Sequence, residues 1–209
     1  MRKFSKEFTV YSYSELKTEE AKENAKNALL DLRSLDSYFY DNIKTFLEDN
    51  FPNSKLDVTF SLSSCQGDGL NIYGTVDIKD VLSKLDYAKE VAEKIANYLS
   101  VSTYTLDFSK NTHYCYSCKF LDKKYIEDDV SEYVEDLIYN QCKNVDYELI
   151  KTFFIDILNY FEKLDNQYEK EGYSYFYEMS EEEIIEECEA NGYEFFEDGN
   201  FFTKIYSED

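Results

Sequence analysis

Polar and apolar residues alternate along Leu56, Val58, Phe60 and Leu62, with Asp57, Thr59, Ser61 and Ser63 between them. The same period of two returns at Leu70, Ile72, Gly74 and Val76. Two such runs joined by Cys65-Gln66-Gly67-Asp68-Gly69 predict a β-hairpin. Elsewhere the period is three to four. Ala21, Ala25, Ala28, Leu29, Leu32 and Leu35 predict an amphipathic helix capped by Ser14 or Thr18, with Glu19 and Glu20 in its first turn. The pattern continues through Tyr38, Ile43 and Leu47, with a break near Ser34 to Ser37, and stops at Phe51-Pro52-Asn53. Val81, Leu85, Ala88, Val91, Ile95 and Leu99 predict one helix over 78–99.

The aromatic and β-branched run from Glu7 to Tyr13 reads as a strand, and 103–108 with 114–120 as a second hairpin. Helices are predicted over 129–143 and from 146 to about 170, the latter ended by Gly172. Ser180-Glu181-Glu182-Glu183 is a capping box that opens a helix closing at Asn191-Gly192. The tail from Tyr193 to Tyr206 predicts a hairpin turning at Asp198-Gly199. Helices and antiparallel hairpins in this order imply an α+β fold.

Charge adds what periodicity does not. The 209 residues hold 44 Asp and Glu against 22 Lys and Arg, a net of −22. Aromatics reach 18%, enough to build a core, so the charge does not imply disorder. Residues 1–50 carry 8 basic and 10 acidic side chains, 51–121 carry 7 and 8, and 122–209 carry 7 and 26. The nets of −2, −1 and −19 predict a near-neutral scaffold over 1–121 and a strongly acidic helical lobe over 122–209, ending in a hairpin, within one compact protein. Such a charge disfavours nucleic-acid and anionic-membrane partners and favours a basic protein surface. No run of about 18 apolar residues occurs, and the opening Met1-Arg2-Lys3-Phe4-Ser5-Lys6 lacks an apolar core, so a cytoplasmic location is expected. Five cysteines, Cys65, Cys115, Cys118, Cys142 and Cys188, suit free thiols in a reducing compartment.

Three segments together resemble one family. Tyr13-Ser14-Glu15-Leu16-Lys17-Thr18-Glu19-Glu20-Ala21-Lys22 looks like its opening, and Ser61-Leu62-Ser63-Ser64-Cys65-Gln66-Gly67-Asp68-Gly69 like its serine-rich strand and Gln-Gly-Asp-Gly loop. The stretch from Glu187 to Gly199, with Asn191-Gly192-Tyr193-Glu194-Phe195-Phe196-Glu197-Asp198-Gly199, looks like its carboxy-terminal end. The family comprises acidic proteins of phages and prophages of low-GC Gram-positive bacteria, often labelled antitoxins of a toxin–antitoxin stability system. The resemblance implies a binding role and a setting in which host defence is a target. It implies no catalytic residues.

The Gln66-Gly67-Asp68-Gly69 loop reads first as a tight hairpin turn and second as a candidate contact through Gln66 and Asp68. Cys115 and Cys118 form a CxxC with Cys142 as a further thiol. A pair inside a strand-like run points to opposite faces, which argues against zinc, so neither metal nor cofactor is expected. Paired carboxylates such as Asp128-Asp129 and Glu181 to Glu183 read as solvated helix faces rather than an enzyme's acid and base. The acidic field itself remains. Asp128, Asp129, Glu132, Glu135, Asp136, Glu181, Glu182, Glu183, Glu186, Glu187 and Glu189 are the expected partner-binding residues. Carboxylates held in rows imitate duplex phosphates and steer association with a Lys/Arg groove. The expected function is inhibition of a host nucleic-acid-binding defence protein, a CRISPR nuclease or restriction enzyme. The alternative is an antitoxin-like protein that neutralises a basic toxin.

Overall fold

The computed structural model describes residues 7–35, 37–63, 68–99, 103–106, 131, 132, 135, 139 and 146–202. The chain folds as two compact units, one formed by Met1–Ser37 with Tyr173–Asp209 and the other by Tyr38–Gly172. The expected boundary between 121 and 122 lies outside the described residues. The architecture is α+β, with antiparallel strands and a closing hairpin.

In the discontinuous unit, helix α1 spans Glu19–Arg33. Its N-cap is Thr18, whose hydroxyl accepts the Ala21 N–H at 3.1 Å. The predicted opening strand is reduced to one isolated bridge between Tyr11 and Phe195. Ser12 ends the extended run, because its N–H donates to Glu15 Oε2 at 2.8 Å and the chain coils into a 3-10 turn at Tyr13–Glu15. Here a local side-chain hydrogen bond competes with a sheet partner.

The core of this unit gathers Tyr13, Leu16, Ala21, Ala25, Leu29, Met179, Ile184, Cys188 and Phe195. Small β4 (Glu194–Phe195) and β5 (Phe201–Phe202) form the closing hairpin. Gly199 sits at its tip with φ 82°, and a Cβ there would lie 1.9 Å from the Ala21 carbonyl oxygen. Only glycine combines that left-handed backbone with so close an approach to α1. Asn24 Nδ2 secures the tip by donating to the Asp198 carbonyl at 2.9 Å.

In the continuous unit, α2 (Tyr38–Asn50) leads to β1 (Lys55–Ser61) and β2 (Gly69–Asp77). These strands pair in the predicted antiparallel hairpin, from Lys55 opposite Thr75 to Ser61 opposite Gly69. A third strand, β3 (Thr103–Leu106), pairs with β2 and gives the sheet order β1-β2-β3. The partner strand expected at 114–120 and the helix expected at 129–143 lie largely outside the described residues, although Ser131, Glu132, Glu135 and Tyr139 are helical.

The helix predicted over 78–99 is two helices, α3 (Ile78–Leu82) and α4 (Lys89–Tyr98). The break has a cause outside its own periodicity. Tyr87, in the connecting segment, donates its hydroxyl to Asp156, fixing the chain where a continuous helix would have carried it onward. Asp80, buried at the start of this region, accepts from Asn53 N–H at 2.9 Å, Asn53 Nδ2 at 2.9 Å and Ser54 Oγ at 2.8 Å. Those bonds satisfy a carboxylate that burial would otherwise penalise.

Helix α5 spans Tyr147–Tyr177, with residues through Gly172 in the continuous unit. It buries Ile150, Phe153, Phe154, Ile157 and Phe161 completely. Each such side chain contributes on the order of 1.5–3 kcal/mol. Gly172 does not end this helix as predicted. A Cβ at that position would meet Leu62 Cδ1 at 2.3 Å and Phe39 Cζ at 2.8 Å, so its small size serves packing. No helix among the described residues is long and apolar enough to cross a membrane.

Candidate partner-binding surface

Helix α6 spans Glu181–Asn191 and holds six of the eleven expected partner-binding residues. Ser180 opens it: the Ser180 hydroxyl accepts the Glu183 N–H at 3.3 Å, and the Ser180 N–H donates to Glu183 Oε2 at 2.8 Å. The Ser180 N–H first, and then the Ser180 hydroxyl donating to Glu183 Oε2 at 2.8 Å, hold the Glu183 carboxyl below its ordinary 4.5. Gly192, at φ 63°, closes the helix, and Tyr193 N–H donates to the Cys188 carbonyl at 2.9 Å.

The buried face of α6 is Ile184 and Cys188, four residues apart. Cys188 is a buried thiol pushed up to about 11 by burial, with Glu187 adding to the rise. At 3.6 residues per turn, Glu182, Glu186 and Glu189 fall opposite that face. All three are exposed, and among the described residues none has an ion-pair or hydrogen-bond partner.

The other three glutamates flank the buried stripe and are occupied within the unit. Glu181 Oε1 lies 2.9 Å from Lys22 Nζ, a hydrogen bond that holds the lysine above its ordinary value. Glu183 completes the capping box. Glu187 Oε2 lies 2.9 Å from Arg33 Nη2, and Arg33 in turn lies over the Tyr175 ring at 5.2 Å. Glu181, Glu183 and Glu187 therefore maintain the helix, while Glu182, Glu186 and Glu189 form a row of unneutralised charge.

The row begins with Glu182 in the favourable first turn and runs against the helix's own electrostatics toward its other end. The last turn of α6 contains no basic residue, so Glu189 stands near the negative end of the macrodipole. The pairs Glu182–Glu186 and Glu186–Glu189, at four and three residues, repel by about 0.2–0.5 kcal/mol each. Folding alone does not require this arrangement.

Of the remaining expected residues, Glu132 and Glu135 are helical and exposed, while Asp128, Asp129 and Asp136 lie outside the described residues. Gln66 also lies outside them, as do Cys65, Cys115, Cys118 and Cys142. Asp68 is half-buried and accepts from Ser61 Oγ at 3.3 Å and Ser63 Oγ at 3.1 Å. Those bonds give it a structural part at the base of its loop. Among the described residues no cluster of three or more His, Cys, Asp or Glu side chains is arranged to hold a metal ion.

A cleft of about 370 Å³ between α2 and β1 was not foreseen. Its walls carry Lys44 and Lys55 with Glu48 and Asp57 over Leu47, Phe51 and Leu56. Lys44 is committed to the Leu56 carbonyl and Asp57, which leaves the cleft electrostatically balanced. No family model, curated protein or solved structure matches the chain, so the resemblance to the phage family rests on its three motifs.

Proposed function

We propose that this chain is an acidic inhibitor of phage or prophage origin, acting in the host cytoplasm on a nucleic-acid-binding defence protein of the CRISPR-nuclease or restriction type. The observation that carries the reading is the exposed row Glu182, Glu186 and Glu189 on a helix whose other glutamates are internally occupied. Along the axis these residues are about 6 and about 4.5 Å apart at 1.5 Å per residue. That spacing is of the order of the roughly 3.4 Å per phosphate of one DNA strand. A rigid carboxylate row of this kind speeds encounter with a Lys/Arg groove and competes there with nucleic acid, without turnover or cofactor.

The test is affinity purification from a host lysate, followed by competition between this protein and DNA or RNA for the recovered partner. The reading expects a basic nucleic-acid-binding protein whose nucleic acid is displaced by the wild type and not by a Glu182→Gln/Glu186→Gln/Glu189→Gln variant. Equal displacement by that variant excludes the α6 row. Recovery of a small basic toxin instead supports the neutralising role that the family resemblance implies.

A further inference from the structure

Asp165 occupies a position in α5 where an apolar residue is expected. It continues the buried stripe of Leu158 and Phe161, is 2% exposed, and accepts the Ile72 N–H through Oδ1 at 2.8 Å. Its other oxygen, Oδ2, is buried without a hydrogen-bond partner. Ile72 lies two residues beyond the last described pair of the β2–β3 ladder, Gly74 opposite Leu106. The carboxyl takes a backbone N–H of β2.

Among the described residues the charged groups acting on Asp165 are acidic. Glu162 and Glu169 stand three residues before and four after it on α5, and from the β1–β2 hairpin Asp68 acts on Glu169. Among the described residues no cation is one of the groups that act on it. An ionised carboxylate in this position is buried, half-satisfied and repelled by its neighbours; a proton removes the repulsion and most of the cost of burying the charge. A leucine of similar bulk would avoid them altogether.

We propose that Asp165 is a proton-held latch between α5 and the β1–β2 hairpin: with its proton it stays buried and holds the Ile72 N–H, and without it the carboxylate moves toward water and this corner of the unit opens. Burial, opposed by the Ile72 hydrogen bond and reinforced by Glu162 and Glu169, pushes its carboxyl up to about 8 from 3.8. The folded chain therefore binds the proton more tightly than the unfolded chain. Its stabilising effect is complete below the unfolded value of 3.8 and is lost as pH rises through about 8.

Denaturant titrations of the full chain from about pH 5 to about pH 7, in wild type and Asp165→Asn, read this linkage directly. Asparagine keeps an acceptor for Ile72 and cannot ionise. The wild-type unfolding constant is expected to rise about tenfold per pH unit relative to the variant. Parallel pH dependences overturn the proposal. The opening itself is read by hydrogen exchange: Ile72 protection falls with rising pH in wild type and stays level in Asp165→Asn, and equal behaviour refutes the latch. Should the variant not fold, carbon NMR of the Asp165 carboxyl in wild type decides. Titration near pH 8 supports the proposal, and titration in the ordinary carboxylate range overturns it.

Discussion

Arg33 and Glu187 meet through two donors and one acceptor: the guanidinium Nη2 at 2.9 Å and Nε at 3.2 Å both donate to Glu187 Oε2. The pair joins α1 to α6 across 154 residues of sequence. Its side chains are 14% and 24% exposed, so water screens it less than a surface pair. Arg33→Ala is expected to cost about 1.5–3 kcal/mol, the range for hydrogen bonds to charged groups, as a lowered denaturant midpoint. A change within measurement error would show that the pair contributes nothing net.

A different outcome is expected for the exposed row on the same helix. Changing Glu182, Glu186 and Glu189 to glutamine relieves two repulsions of about 0.2–0.5 kcal/mol each and forfeits about 0.3–1 kcal/mol from Glu182 in the first turn, so stability should change little. Association with the partner should slow and lose salt dependence, because rim charges act mainly on the encounter rate. Stopped-flow association at two ionic strengths measures this. Unchanged rates would remove the row from the interface.

Ser180→Ala removes the hydroxyl that accepts the Glu183 N–H. Loss of such a cap costs about 1 kcal/mol. Because the Glu183 carboxyl is held below its ordinary 4.5, its contribution is present above that value and lost as pH falls through the lowered one. Thermal melts at neutral and acid pH should show the wild-type advantage over the variant shrinking in acid.

Gly199→Ala combines a backbone at φ 82° with a Cβ 1.9 Å from the Ala21 carbonyl oxygen. The obstacle is backbone of α1, which cannot rotate aside. A loss of about 1–3 kcal/mol is expected, measured as a drop in melting temperature. A neutral result would mean that the hairpin tip does not bear on α1 in solution.

Local chemistry was legible along the chain. The alternation at 56–62 and 70–76 specified a hairpin because a period of two places one face of each strand in the core. Thr18, Ser180 and Gly192 marked helix ends because caps satisfy backbone groups within a few residues. The row on α6 was contained in the expected residues, and its separation follows from the buried positions Ile184 and Cys188. What could not be read were distant partners: Lys22 for Glu181, Arg33 for Glu187, Ile72 for Asp165 and Asp156 for Tyr87. Gly172 looked like a helix stop because glycine carries the same signal whether it ends a helix or admits a neighbour.

By itself the sequence determined the β1–β2 hairpin, the main described helices, the closing turn and a net charge of −22. Along the chain that charge divides as −2, −1 and −19. The tertiary structure groups Met1–Ser37 with Tyr173–Asp209, stretches holding 8 basic and 19 acidic residues, against 14 and 25 in Tyr38–Gly172, so each unit nets −11. Only packing decides which distant carboxylates gain a cation, which lose their water and which remain exposed, because each outcome depends on separation in space rather than position along the chain.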